Sequence, residues 1–132
     1  MIKIVNKQLT NDAIAALNSL IGMDIKSGAA FKLMRIIKEI SSLVEDKLSL
    51  EKKILEKWIE RDSSGNPVLV YDEKGQLVDG AVKIKDMKTF GEEMDNLLGE
   101  ETLINLEPVN FEDLGLETVK IKDLLKIDFI FA

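Results

Sequence analysis

The chain has 132 residues, 24 acidic and 18 basic, a net charge of -6, 45% apolar residues and two prolines, which fits one domain with one core rather than two cores or a disordered tail. It contains no cysteine and no histidine, which excludes thiol nucleophiles, disulfides, Cys/His zinc sites, haem axial histidines and every His-based catalytic arrangement. No apolar run approaches the roughly 20 residues of a membrane span, and MIKIVNKQLTND lacks the apolar core and cleavage site of a secretory signal, so a cytoplasmic location is expected.

Charge is unevenly spread. Residues 89–119 hold nine acids (Glu92, Glu93, Asp95, Glu100, Glu101, Glu107, Glu112, Asp113, Glu117) and no lysine or arginine, leaving +3 on the rest of the chain. Such a stretch repels phosphate and anionic lipid and suits either a basic protein partner or simple solvation.

In chain order, Ile2 and Ile4 alternate with polar neighbours, so MIKIV predicts a short strand. Thr10 or Asn11 is placed to cap a helix with Ala13, Ile14, Leu17, Leu20 and Ile21 on one stripe, stopped at Gly22. Ser27 offers a second cap. From Ala29 to Arg61 there is neither glycine nor proline, which predicts one long helix over about 29–61. Its seam reads Ala30, Leu33, Ile37, Ile40, Val44, Leu48, Glu51, Leu55 and Trp58 in steps of three and four. A helix roughly 50 Å long exceeds what a compact domain this size needs, so its overhang either packs on C-terminal elements or pairs with a second copy as a homo-oligomer.

Asp62-Ser-Ser-Gly65-Asn and Asp72-Glu-Lys-Gly75-Gln are echoes ten residues apart, each an Asp-closed turn, within a β region over about 67–85. The second turn joins Val68–Tyr71 to Gln76–Val78 as a hairpin, with Val82 and Ile84 as a third short strand. Neither turn matches a calcium loop. Asp86 is expected to cap a helix bearing Met87, Phe90, Met94, Leu97 and Leu98 that stops at Gly99. Leu103, Leu106 and Val109 follow in an extended segment, Asn110 opens a turn to Gly115, and Thr118 caps a helix running at least to Leu125. Phe129, Ile130 and Phe131 need cover, either from the chain's own core or from a partner groove. The predicted fold class is α+β, mainly helical, with one long central helix and a small antiparallel sheet.

No nucleotide-binding loop and no Gly-x-Ser-x-Gly elbow is present. Glu51-Lys52-Lys53 has the E-x-K form of metal-dependent nucleases, but that chemistry needs the pair on a strand beside another aspartate, and here it falls inside the helix. Lys32, Arg35, Lys38, Lys47, Lys52, Lys53, Lys57 and Arg61 are interleaved with Glu39, Glu45, Asp46, Glu51, Glu56 and Glu60, an ion-paired solvated face rather than a nucleic-acid surface. Trp58 and Tyr71 read as core aromatics rather than base-stacking platforms. Sequence alone therefore indicates no catalytic residue, cofactor or metal.

The sequence does resemble a loose group of short, uncharacterised proteins of tailed bacteriophages and prophages. The likeness runs through IKIVNKQL, the charged helix KLMRIIKEISSLVEDKLSLEKKIL, the D-x-x-G-N turn, KTFGEEMDNLLGEE and the ending LINLEPVNFEDLGLETVKIKDLLKIDFIFA. It is a likeness of pattern without a catalytic signature, and the group has no assigned activity to carry over. It implies a phage origin and a host-cytoplasmic or virion-associated life. The expectation is a non-enzymatic accessory protein working by contact with a phage or host protein, without nucleic acid or membrane. The alternative is a host-directed inhibitor whose acidic surface imitates nucleic acid. Candidate partner-binding residues are Glu92, Glu93, Asp95, Glu100, Glu101, Phe129 and Phe131.

Overall fold

A computed structural model describes residues 1–116 and 118–132; Glu117, one of the nine acids, lies outside the described residues. The protein is α+β, with one long helix and two small antiparallel sheets. The described residues fall into two compact units: residues 1–48 with 98–132, and residues 49–97.

The first unit begins with β1 (Ile2–Val5), which pairs antiparallel with β4 (Glu101–Ile104) in the register Ile2↔Ile104 and Lys3↔Leu103. The period-two pattern buries Ile2 and Ile4 on one face while Lys3 reaches Glu101 across the other at 3.1 Å. Helix α1 (Asn11–Ile21) starts at Thr10, whose hydroxyl accepts from the Ala13 N–H, and buries Ala13, Ala16, Leu17 and Leu20. Gly22 ends it at φ -70°, so the left-handed freedom of glycine is not what stops the helix. Helix α4 (Ile121–Lys126) packs on α1. Its N-cap residue is Lys120 without a side-chain cap, which corrects the expected start at Thr118.

Helix α2 runs Ser27–Trp58, starting two residues before the predicted bound and stopping three residues short of Arg61. Its buried residues are Ala29, Leu33, Ile36, Ile40 and Val44. The expected seam is therefore displaced: Ile36 rather than Ile37 is fully buried, and Leu48 and Leu55 are 49% and 37% exposed. These α2 residues join β1, α1, Ile104, Val109, Leu114, Ile127 and Ile130 in one core cluster. Ile104, not Leu103, points inward from β4, because pairing opposite Ile2 sets the alternation; Leu103 is 64% exposed.

The second unit holds the end of α2, β2 (Leu69–Tyr71), β3 (Leu77–Val82) and most of α3 (Met87–Gly99). α2 ends where its backbone changes partners. Glu60 N–H donates to the Lys83 carbonyl, Val68 N–H to Glu60 and Lys83 N–H to Val68, a closed ring of three bonds of 2.8–2.9 Å. Ile59 bridges Ile84, and Arg61 bridges Pro67. The third strand foreseen at Val82 and Ile84 is thus divided: Val82 belongs to β3 and Ile84 pairs with Ile59.

Both Asp turns form, and their hydrogen bonding is the same. Asp62 Oδ1 accepts from Ser64 and Asn66 N–H, and Asp72 Oδ1 from Lys74 and Gln76 N–H, all at 2.8–3.0 Å. Gly65 and Gly75 sit at φ +84° and +77°. Gly75→Ala meets open space, so its cost is backbone strain of about 1–2 kcal/mol, to be read as a lowered thermal midpoint of residues 49–97. Asp72→Ala, which removes two acceptor bonds, is expected to act in the same direction.

Candidate interaction surface

The β2–β3 hairpin carries an apolar surface that solvent reaches. Leu69, Tyr71, Leu77 and Val78 are 44%, 61%, 52% and 39% exposed, and Tyr71 lies opposite Leu77 across the ladder. Leu69, Val70 and Tyr71 alternate exposed, half-buried, exposed. A run of four apolar residues, VLVY, gives no contrast from which to read that alternation, and Tyr71 is therefore not the core aromatic that sequence suggests. Each strand of the pair has one ladder partner within its sheet, and β3 bulges between the paired positions, with Gly80 at φ +73°. Four apolar side chains gathered at one hairpin carry a hydration cost that burial against another protein would relieve, each by a fraction of the roughly 1.5–3 kcal/mol for full burial.

The hairpin's unit is anchored at the end of α2. Glu93 of α3 accepts from Lys57 Nζ at 2.8 Å through one carboxylate oxygen and from Trp58 Nε1 at 2.8 Å through the other. The Lys57 ammonium also stands 5.1 Å from the Trp58 ring centroid. Hydrogen bonds from Lys57 and then Trp58 hold the Glu93 carboxyl below its ordinary value of 4.5. Because the folded value is depressed, the contribution is present above about pH 4.5 and is lost as pH falls through the folded value. Trp58 fluorescence should therefore change in an acid titration below pH 4.5, and this transition should vanish in Glu93→Gln. Asp86 caps α3 as expected: Thr89 Oγ1 donates to Oδ2 at 2.8 Å and Thr89 N–H to Oδ1, which lowers the Asp86 pKa.

The other sequence-derived candidates are dispersed. Glu92 and Asp95 are exposed and Glu93 half-buried in the second unit, whereas Glu100 and Glu101 are exposed residues of the first. Glu93 and Glu101 already have cationic partners, Lys57 and Lys3. Phe129 and Phe131 are half-buried and pack against the core within the chain. Phe131 bridges Val109 and meets Phe111 edge-on at 5.9 Å. Glu51 is half-buried on α2, so the E-x-K triplet lies on a helix.

Among the described residues no three carboxylates gather closely enough to hold a metal ion, and no helix is long and apolar enough to cross a membrane. An open groove of about 400 Å³ lies in the first unit, lined by Lys26, Gly28, Ala29, Lys32, Val109 and Asp113. Its Lys32 ammonium donates to the Pro108 carbonyl at 2.9 Å, tying helix to loop. No protein-family model matches this chain, and neither a curated protein nor a solved structure matches it.

Proposed function

We propose that this is a non-enzymatic accessory protein of a tailed bacteriophage, located in the host cytoplasm or on the virion, that acts by contact with another phage protein during virion assembly or in the assembled particle. The observation that carries the contact reading is the exposed apolar hairpin of Leu69, Tyr71, Leu77 and Val78. The phage origin rests on the pattern resemblance in the sequence. The test is capture of the tagged full-length chain from infected cells, with identification of what is retained. Retention of a virion or assembly protein, lost in Tyr71→Ser/Leu77→Ser while thermal stability is kept, is the expected result. Equal retention by both chains would remove the hairpin from the contact, and capture of host proteins alone would remove the assembly role.

The alternative, a host-directed inhibitor that imitates nucleic acid, is favoured only by the exposed carboxylates of Glu92, Asp95 and Glu100. It requires salt-sensitive binding to a basic host protein. That binding should collapse when Glu92, Glu93, Asp95, Glu100 and Glu101 are all changed to glutamine.

A further inference from the structure

The sheet of the first unit has a free edge at β4. Asn6 N–H donates to the Glu100 carbonyl at 2.9 Å, one step beyond the pairing of Val5 with Glu101. Bonded and non-bonded pairs alternate along an antiparallel ladder. Ile4 with Thr102 and Ile2 with Ile104 are therefore bonded pairs, and Glu101 and Leu103 turn their N–H and C=O groups away from β1. Val5 N–H obeys the same alternation: it donates to Gln8 Oε1 at 2.8 Å rather than to β4. Among the described residues no backbone partner meets the outward groups of Glu101 and Leu103. Leu103, 64% exposed, borders an open groove of about 330 Å³, whose far wall is Arg35, Glu39 and Leu43 on one face of α2. A second groove of about 310 Å³ shares Arg35, Asn105 and Leu106 with the first and prolongs it to Lys32. The strand itself holds no lysine, proline or bulge, the devices that keep an edge from pairing.

We propose that this groove takes an extended peptide segment of another protein, which adds to β4 as an antiparallel third strand and carries a carboxylate near Arg35. Backbone recognises backbone: one residue of the segment exchanges both bonds with Leu103, and the residue two further on exchanges both with Glu101. The segment's residues opposite Thr102 and Ile104 point to the α2 side, because those two β4 side chains are half-buried and buried. Position then sets chemistry. Glu39 and Leu43 line the groove only where Thr102 to Ile104 do, which calls for an apolar side chain at that end. Toward Glu107 the wall is Lys32 and Arg35. Lys32 is held by the Pro108 carbonyl, but Arg35 is exposed and has no ion pair or hydrogen bond among the described residues, so an acidic side chain gains a partner there. A second copy of this chain would bring its own α2 beyond its own β4, and helix would meet helix before strand met strand. A lone segment meets no such obstacle. The inference goes beyond the hairpin contact, since every residue of the groove belongs to the first unit.

The probe is the acetylated, amidated peptide Glu-Thr-Thr-Val-Val-Thr, whose first valine stands opposite Leu103 and whose glutamate comes to the Arg35 end. Titrated into the isotope-labelled full-length chain, it should bind with a Kd of about 0.1–1 mM. The amide signals of Leu103 and Glu101 should shift most, and hydrogen exchange at Leu103 should slow. Methylating the amide nitrogen of the first valine removes the donor to the Leu103 carbonyl and should weaken binding about tenfold. Arg35→Glu, an exposed change that spares the core, should weaken binding about fivefold, and a peptide beginning with lysine should recover it. A Leu103 amide unmoved at several millimolar peptide would overturn the proposal, as would equal binding of the methylated peptide. Arg35→Glu binding both peptides as the parent does would remove the carboxylate and with it the stated partner. A chain that sediments as a dimer with Leu103 already protected would assign the edge to a second copy instead. The probe does not engage the hairpin, so failure here leaves the hairpin's capture of a phage protein standing, and failure of that capture leaves this groove standing.

Discussion

Shortening Leu33 to alanine should lower the stability of the unit formed by residues 1–48 and 98–132 by about 2–5 kcal/mol, whereas the same change at Met34 should stay within about 0.5 kcal/mol. The two are neighbours on α2 with opposite environments. Leu33 is fully buried and belongs to the core cluster, so its loss combines a transfer cost with a cavity that the surrounding Ile and Leu side chains fill only in part. Met34 is 59% exposed and leaves no cavity. Urea titration followed by far-ultraviolet circular dichroism reads the difference as a shift of midpoint at constant slope. A second pair tests the rotation of the helix more finely: Ile36→Ala should cost more than Ile37→Ala, because Ile36 is fully buried and Ile37 only half. A larger cost at Ile37 would mean that the apolar face is centred on the line read from the sequence.

Removing Phe129–Ala132 should abolish cooperative folding of the same unit. Ile130 is fully buried, and its truncation to alanine alone should cost about 2–5 kcal/mol. Removal also strips the half-buried rings of Phe129 and Phe131 from the core. It deletes both backbone bonds to Val109, Val109 N–H to the Ile130 carbonyl and Ala132 N–H to the Val109 carbonyl, together with those from Ile130 N–H to Ile127 and Phe131 N–H to Asp128. The combined loss exceeds about 5 kcal/mol, comparable with the roughly 5–15 kcal/mol by which domains are stable at all. The shortened chain should therefore show a broad, non-cooperative melt, with Ile130→Ala intermediate between it and the parent. A truncated chain with the parental urea midpoint would show that these residues are only an attached tail.

What was legible in the sequence was what is decided within about four residues. Thr10 capping α1, Asp86 capping α3 and the twin turns of Asp62 and Asp72 each depend on a side chain reaching a backbone N–H close by in the chain. The long helix was legible for the same reason, since strong helix formers run on without interruption. What failed was set by distant partners. The end of α2 at Trp58 is fixed by the bonds that Val68 and Lys85 N–H donate to the Glu60 and Trp58 carbonyls and that Glu60 N–H donates to the Lys83 carbonyl, and no local signal near Arg61 announces it. The inward residue of β4 is decided by pairing with β1, at the far end of the chain. Candidate contact residues were the least legible. The sequence singled out Phe129 and Phe131, which the core covers, and passed over Leu69, Tyr71, Leu77 and Val78, which it does not.

The pairing of Ile2 with Ile104 bears on how the chain is made. At about 5–20 residues per second, a ribosome leaves β1 without its strand partner for several seconds. Residues 49–97, contiguous in sequence, are complete long before Val109 and Ile130 emerge to seal the other half. During that interval the alternating strand at the amino terminus and the greasy side of α1 stand unsheltered. The nascent polypeptide is then most vulnerable to clumping and most in need of a chaperone.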